Sequence, residues 1–323
     1  MTRRGIQKTA QFSSKITYVD PATPNLFCSD NLKNFTISPD HHDFSTDNVS
    51  MTLSEDGKTY TIKSSVNPRS VVDLKFHQEA PPVVCGKDGT SYFGTDPANP
   101  WGKMYHKFWP SCRVEGQFLT QQGPVDFKGR GIFIHCLQGM KPHFAGKPFS
   151  SVLANDKRYM LTVLRTAAKW NFCNFQSANY SALLMSFTTP ESYGPSTVNV
   201  GVIVKNNEIL FTSSADSSVM HTAVKGDPEN DWPEPSAVKY TWAGKTADGK
   251  EASAVLEGEL GERTDRVDVM GEVPKFVKQI VAGAAGTKPY IYQYVPRMTL
   301  KVTVGGEKVE EEGQLFAEAT FIS

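Results

Sequence analysis

Two short stretches carry most of the side chains that could bind a ligand. The first, IHCLQGMKPH, supplies imidazole, amide and thioether groups, and the second, KWNFCNFQ, alternates aromatic rings with amides. Such groups suit a neutral amphipathic ligand, because apolar side chains pack on its hydrocarbon while a few donors and acceptors hold its head. We therefore predict a ligand-binding site made of these side chains: His135, Gln138, Met140, His143, Trp170, Asn171, Phe172 and Gln176.

The same two stretches have a second interpretation. Their amides could satisfy strand ends in a hydrogen-bonded layer of the protein core, and the stretches alone do not decide between core and pocket. Neither interpretation requires chemistry, because nothing in them pairs two carboxylates or forms an oxyanion hole.

Common catalytic and metal-binding patterns do not occur in the chain. None of the seven histidines has the spacing of a zinc motif, and after Gly129-Arg130-Gly131 no third glycine opens a helix as a dinucleotide loop requires. Cys136 and His135 are neighbours in a predicted strand, so their side chains point to opposite faces and cannot act as nucleophile and base. The sequence thus predicts neither a metal nor a cofactor.

Composition limits the partners and the compartment. The 34 basic residues balance 34 acidic ones, so no net field attracts nucleic acid. No run approaches the length of a membrane-spanning helix, and the basic N-terminus is followed by no apolar signal segment, which predicts a cytosolic protein. The five cysteines have no CxxC spacing and are predicted to be buried, reduced thiols: Cys28, Cys85, Cys112, Cys136 and Cys173.

Alternation with a period of two residues dominates the chain and predicts antiparallel strands. It is clearest at Val198–Val204, Val238–Trp242, Met298–Val304 and Leu315–Phe321. Turn pairs separate such segments: Asp56-Gly57, Asp88-Gly89, Asp248-Gly249 and Gly305-Gly306. One helix is predicted from Pro274, with Phe276, Val277, Ile280 and Val281 on one face. So many similar strands favour closed barrels, because closure removes exposed edges.

The strand pattern restarts after a loop-rich segment, which suggests two domains. We place the boundary at Cys112, giving an N-terminal domain 1–112 and a C-terminal domain 113–323. The segment KGDPENDWPEP, residues 225–235, is rich in turn-forming and charged residues and is predicted to be an exposed loop.

Several strings along the chain are similar to those of the fungal survival factor 1 family. They are TAQF from Thr9, LSEDG from Leu53, SVVDLK from Ser70, FWP from Phe108, LQGMKPH from Leu137, WNF from Trp170 and FTTP from Phe187. The resemblance implies a mainly β protein with two lipocalin-like (calycin) antiparallel barrels packed side by side. It also implies a non-enzymatic carrier of ceramide or a related lipid that supports survival under oxidative stress. Such a carrier is expected in the cytoplasm and peripherally at endoplasmic reticulum and Golgi membranes.

The chain departs from the family pattern in two places. Family members have a longer N-terminal region with a membrane-binding segment and opening strands, so the first barrel is expected to be incomplete and membrane docking is not carried over. In addition, the family lacks the stretch at about 146–167, which is either a surface loop or a translated, unspliced intron. Transcript sequencing across this stretch distinguishes the two.

Two other function classes fit the same sequence. Double-lipocalin folds also occur in cofactor-independent cyclases and isomerases of hydrophobic molecules, where His135, Gln138 and His143 would be the polarising donors. A purely structural interaction protein would fit an incomplete first barrel. The carrier hypothesis predicts a cavity with apolar walls, whereas the enzyme hypothesis predicts a charged or strongly perturbed group in it.

Overall fold

The computed structural model describes residues 10–18, 20, 22–84, 89–93, 98–100, 102–140, 169–188, 196–230, 232–268 and 290–321. All regular elements in these residues are strands. The first eleven are β1 (Ala10–Ile16), β2 (Leu26–Leu32), β3 (Thr36–Ile37), β4 (Phe44–Ser45), β5 (Val49–Leu53), β6 (Thr59–Asn67), β7 (Ser70–Gln78), β8 (Val83–Val84), β9 (Thr90–Phe93), β10 (Gly102–Thr120) and β11 (Gly123–Met140). The others are β12 (Lys169–Gln176), β13 (Tyr180–Thr188), β14 (Thr197–Lys205), β15 (Glu208–Ser213), β16 (Ser218–Gly226), β17 (Pro233–Lys245), β18 (Glu251–Glu259), β19 (Asp265–Asp268), β20 (Tyr290–Tyr294), β21 (Arg297–Val304) and β22 (Glu307–Phe321).

Neighbouring strands pair as the alternation predicts. One sheet has the order β11-β10-β7-β6-β5-β4-β3, with β8 and β9 also on β10, and β1 pairs with β2. The largest sheet has the order β15-β14-β13-β12-β22-β21-β18-β17-β16, with β20 also on β22 and β19 on β20. Most connections join sequence neighbours, and the predicted glycines at positions 57, 249, 305 and 306 have the positive φ of tight turns.

By contacts, the described residues group into two compact units. One consists of residues between 10 and 79 and of 111–133, and the other of residues between 80 and 110, 134–140 and 169–321. Each unit is therefore discontinuous along the chain. The single boundary at residue 112 remains a prediction about independently folding domains.

The inner face of the largest sheet is an apolar core, as the period of two predicts. Its largest members, Tyr240, Trp242 and Tyr292, are each no more than 2% exposed. The Trp242 indole donates from Nε1 to the Leu183 carbonyl at 2.9 Å. Gly201 makes room for this ring, since a Cβ there would lie 2.6 Å from Trp242 Cδ1.

The largest sheet curls until its edge strand β15 meets β17, the strand next to the opposite edge. Ser213 on β15 donates from Oγ to the Ala243 carbonyl of β17 at 2.6 Å, and the Ala243 N–H donates back to Oγ at 3.1 Å. Gly244 permits this approach, because a Cβ there would lie 2.5 Å from the Thr212 carbonyl oxygen. Curling encloses the inner face and gives this sheet its half-barrel shape.

Three expectations from the sequence meet different outcomes. The exposed-loop prediction for 225–235 is wrong at Asp227, Asn230 and Glu234, which are buried, whereas Lys225, Pro228 and Glu229 are exposed. The helix predicted from Pro274 and the insertion at 146–167 lie outside the described residues. Among the residues described, no helix has the length and hydropathy needed to cross a membrane.

Candidate functional site

Strand β12 places the predicted site residues on two opposite faces. Cys173 and Phe175 belong to the inner core, so Asn171 shares the inner face with them. Trp170, Phe172 and the other even-numbered residues lie on the outer face. The structure therefore separates Asn171 from the aromatic neighbours with which it was predicted to act.

The outer face carries a row of aromatic rings, which we call the aromatic face: Trp170, Phe172, Phe187 and Phe316. Trp170 stacks on Phe187, with ring centroids 5.2 Å apart, and Phe172 contacts Phe316 at 6.3 Å. Phe187 is buried, whereas the other three rings keep part of their surface exposed. Partly exposed rings backed by buried ones can pack against hydrocarbon without losing their support.

His106 on β10 approaches this face. It is 3% exposed, and its ring lies 6.4 Å from Trp170 and stacks on Phe108 at 5.8 Å. Burial lowers the pKa of His106 to about 4, so the imidazole is neutral near pH 7. The imidazole that approaches Trp170 is thus uncharged.

The four described cysteines differ from the prediction at one position, and Cys85 lies outside the described residues. Cys28, Cys112 and Cys173 are buried, and burial raises the pKa of the Cys112 thiol to about 12. The prediction that Cys136 is buried is wrong, because its side chain is exposed. Its Sγ lies 3.0 Å from His106 Nε2, so β11 pairs the thiol with a histidine of β10 rather than with its neighbour His135.

Gln176 links β12 to β13 through side-chain hydrogen bonds on the outer face. Its Nε2 donates to Asn174 Oδ1 at 2.8 Å and to Ser181 Oγ at 2.7 Å, and the Ser181 hydroxyl donates to the Pro110 carbonyl. Its Oε1 is buried and has no partner in the described residues. These bonds agree with the core-layer interpretation for this residue, and a role in ligand binding remains a prediction.

Asn171 bonds to a histidine that the sequence did not single out. Its Oδ1 lies 2.8 Å from Nε2 of His221 on β16, a strand distant in the sheet order. The His221 ring contacts Phe321 at 5.9 Å, and Trp232 stacks on Phe321 at 5.5 Å. Burial and, to a smaller extent, the Lys169 ammonium lower the pKa of His221, which favours the neutral imidazole.

The remaining predicted residues lie on or after β11. His135 is partly buried and meets Tyr105 edge to face at 6.0 Å. Gln138 and Met140 are backbone positions of this strand whose side chains are not among those described, and His143 lies outside the described residues. Contacts between these four residues and β12 therefore remain predictions.

The deep interior of the curled sheet is packed rather than hollow. Side chains around a cavity of lipid size would keep surface accessible to water, yet Cys173, Phe175 and Leu184 are 0% exposed. Exposure returns toward the ends of the strands: Leu210 and Val304 are partly buried toward one end, and Val219, Trp232 and Tyr290 toward the other, where Phe321 lies. In the described residues, the predicted cavity is thus replaced by a filled core with a partly open end.

A charged network lies beside this end of the core. The Asp227 carboxylate accepts from Arg266 at 3.0 Å, from the Tyr292 hydroxyl at 2.8 Å and from Asn230 Nδ2 at 2.8 Å. Burial alone would raise the pKa of Asp227, but hydrogen bonds from the Glu229 N–H, Tyr292 and Arg266 lower it to about 2. An acid that stays ionised and saturated with donors stabilises the fold and is not poised for proton transfer near neutral pH.

Sequence reasoning missed His106 and His221, although a signal for each was present. In KMYHKFW the alternation aligns His106 with Met104 and Phe108, and in SVMHTAV it aligns His221 with Val219. That alignment marks both as facing apolar surroundings. Their partners on other strands depend on sheet closure, which no local pattern contains.

Solved structures share this fold. The crystal structure of CghA with Sch210972 matches 93% of this chain and 76% of its own, with a TM-score of 0.58 and 10% identity. Kievitone hydratase from Nectria haematococca matches 97% of this chain and 80% of its own, with a TM-score of 0.54 and 12% identity. At these identities the likeness concerns the fold alone, and it confirms a lipocalin-like (calycin) β protein.

Sequence comparison identifies the family. The Svf1 family model matches residues 2–165 and 161–323, so the chain belongs to the Svf1 family. Ceramide-binding protein svf-1 of Neurospora crassa is 54% identical over 322 residues, covering 99% of this chain and 79% of its own length. Ceramide-binding protein svf1 of Schizosaccharomyces pombe is 37% identical over 317 residues, covering 98% of this chain and 77% of its own.

Proposed function

We propose that this protein binds ceramide or a related two-chain lipid and carries it without altering it. The observation that carries the proposal is the 54% identity, over 99% of the chain, to a relative named a ceramide-binding protein. We further propose that the carrier works in the cytosol and makes peripheral contact with endoplasmic reticulum and Golgi membranes. A role in survival under oxidative stress follows the family resemblance.

The geometry around β12 supports binding rather than proton chemistry. The aromatic face offers partly exposed rings, and the imidazole nearest Trp170 is neutral near pH 7. A lipid chain gains on the order of 25 cal/mol for each square ångström of apolar surface that such rings cover. The pKa values of His106, about 4, and of Asp227, about 2, lie below the range in which a general acid or base works near pH 7, and burial lowers the pKa of His221 as well.

Lipid extracted from the purified protein tests the proposal directly. We expect mass spectrometry to find sphingolipid retained from the expressing cells, and ceramide added to delipidated protein to bind. Protein that binds no ceramide but converts a polyene or polyketide would overturn the carrier and favour the cyclase or isomerase.

Trp170→Ala is predicted to weaken lipid retention more than it lowers stability. Loss of a half-buried indole removes apolar contact, so we expect about tenfold weaker ceramide binding and about 1–2 kcal/mol less unfolding free energy. Fluorescent ceramide titration and urea unfolding measure the two quantities. Phe127→Ala, at a ring that is 38% exposed on β11, is the control and should change neither by much. If ceramide binding and the free energy of unfolding fall in the same proportion in Trp170→Ala, Trp170 is a core residue instead.

A further inference from the structure

A row of neutral polar side chains crosses the inner face of the largest sheet at its partly open end. Asn171 is directly opposite Ser186 on β13, and Ser186 is opposite Asn199 on β14. Residues opposite one another in antiparallel strands point to the same face, so these three side chains are neighbours. The Asn171–His221 bond adds the imidazole of β16. We call these four residues, Asn171, Ser186, Asn199 and His221, the polar belt.

The polar belt sits directly above the closed core. One step inward along the same three strands lie Cys173, Leu184 and Gly201, of which the first two are 0% exposed. Ser186 is 7% exposed, and the other three belt residues are partly buried. Polar groups placed where apolar ones would extend the core cost stability unless they have partners, so such a row calls for an explanation.

One acceptor in the belt lacks a partner among the described residues. Asn199 Nδ2 donates to the Ser217 carbonyl at 2.8 Å, which fixes the orientation of the amide, since a flip would oppose two oxygens. Its Oδ1 is then buried with no hydrogen bond. Gln176 Oε1 is in the same state on the outer face, where the Asn174 amide oxygen and the Ser181 hydroxyl both accept from Gln176 Nε2. At the belt the unpaired acceptor belongs to a row that also holds a serine, a second asparagine and a histidine.

We infer that the polar belt binds the hydrogen-bond donors of the lipid's neutral head. Ceramide brings two hydroxyls and an amide N–H, which match an unpaired carbonyl oxygen flanked by hydroxyl, amide and imidazole groups. The partly buried Trp232 ring, which stacks on Phe321 beside His221, offers apolar surface next to the head. The inference rests on the proposed lipid binding and adds selectivity: the belt would distinguish a hydroxylated head from one without hydroxyls.

The test compares ceramide with two analogues that each lack one of its hydroxyls but keep both chains and the amide. We expect at least one analogue to bind the native chain about tenfold more weakly, because it leaves a belt group unpaired. The quantity compared is the affinity for ceramide divided by the affinity for the analogue. In Asn199→Leu, Ser186→Ala and His221→Phe, this ratio is expected to fall below about threefold. His221→Phe keeps the ring against Phe321, and a ratio measured within one variant does not depend on how much of it is folded.

Two controls locate the effect. Asn179→Leu removes an exposed asparagine that bonds Glu311 and should leave the ratio unchanged. Trp170→Ala, on the opposite face of β12, should weaken binding of ceramide and of the analogues by the same factor. If the native protein binds ceramide and all three belt variants keep the full affinity ratio, the inference alone is overturned. Native protein that binds no ceramide would overturn the proposed function instead.

Discussion

Asp227→Ala is expected to lower the free energy of unfolding by about 3–5 kcal/mol, because it breaks a buried charge network at its centre. The carboxylate is fully buried, and its loss removes the acceptor for Arg266, Tyr292 and Asn230 at once. The Arg266 guanidinium is only 18% exposed, so water replaces the lost partner poorly. Urea unfolding followed by circular dichroism measures the change.

A surface aspartate provides the matched comparison. Asp73 pairs with Lys63 at 3.1 Å, but its side chain is 46% exposed, so Asp73→Ala should cost less than about 1 kcal/mol. Equal losses in the two variants would show that the network adds no more than a surface pair. The network also predicts acid sensitivity, because the pKa of Asp227 is lowered from 3.8 to about 2 in the fold. Its stabilisation is fully present above pH 3.8 and is lost as the pH falls toward 2.

Much of the fold could be predicted because strand alternation is a local property. Val238, Tyr240 and Trp242 recur every second residue, and all three face the core. Glycines at tight turns indicate the hairpins, because glycine tolerates a positive φ. The mainly β class and the antiparallel direction of neighbouring strands follow from such signals.

The site could be predicted only in part, since its contacts join residues far apart in sequence. The sequence drew attention to β12, where Trp170 and Asn171 each contact a buried or partly buried imidazole. Their partners, His106 and His221, are reached through β10 and through the curl of the sheet, and neither connection is written in a local pattern. The alternation of side chains along a strand does, however, predict from the sequence alone that Trp170 and Asn171 lie on opposite faces.

The segment 225–235 shows why composition misleads at the end of a barrel. Proline, aspartate and asparagine usually mark exposed turns. Here Asp227 and Glu234 are buried because Arg266 and Arg263 reach them from a distant part of the chain. Charges separated by 29 and 39 residues in sequence can be recognised as partners only once β19 and its neighbours are in place.

Acidification from pH 6.5 to pH 4 is expected to remove about 3 kcal/mol of stability through His106 alone. The unfolded chain takes up this proton near the ordinary pKa of 6.5, whereas the folded chain, with the ring buried against Phe108 and Trp170, takes it up only near 4. Between these values the unfolded state binds more protons, so stability falls as the pH falls. The lowered pKa of His221 acts in the same direction.

His106→Gln separates this contribution from the carboxylates that titrate in every variant. Glutamine keeps a polar group near Cys136 but carries no charge at any of these pH values, so the loss between pH 6.5 and pH 4 should be smaller by about 3 kcal/mol than in the native chain. Urea unfolding at several pH values measures the slope, and His42→Gln, in a surface turn, is the control. If His106→Gln lost as much stability on acidification as the native chain, the imidazole beside Trp170 would have to be protonated in the fold. The aromatic face would then carry a positive charge, which a neutral lipid chain does not favour.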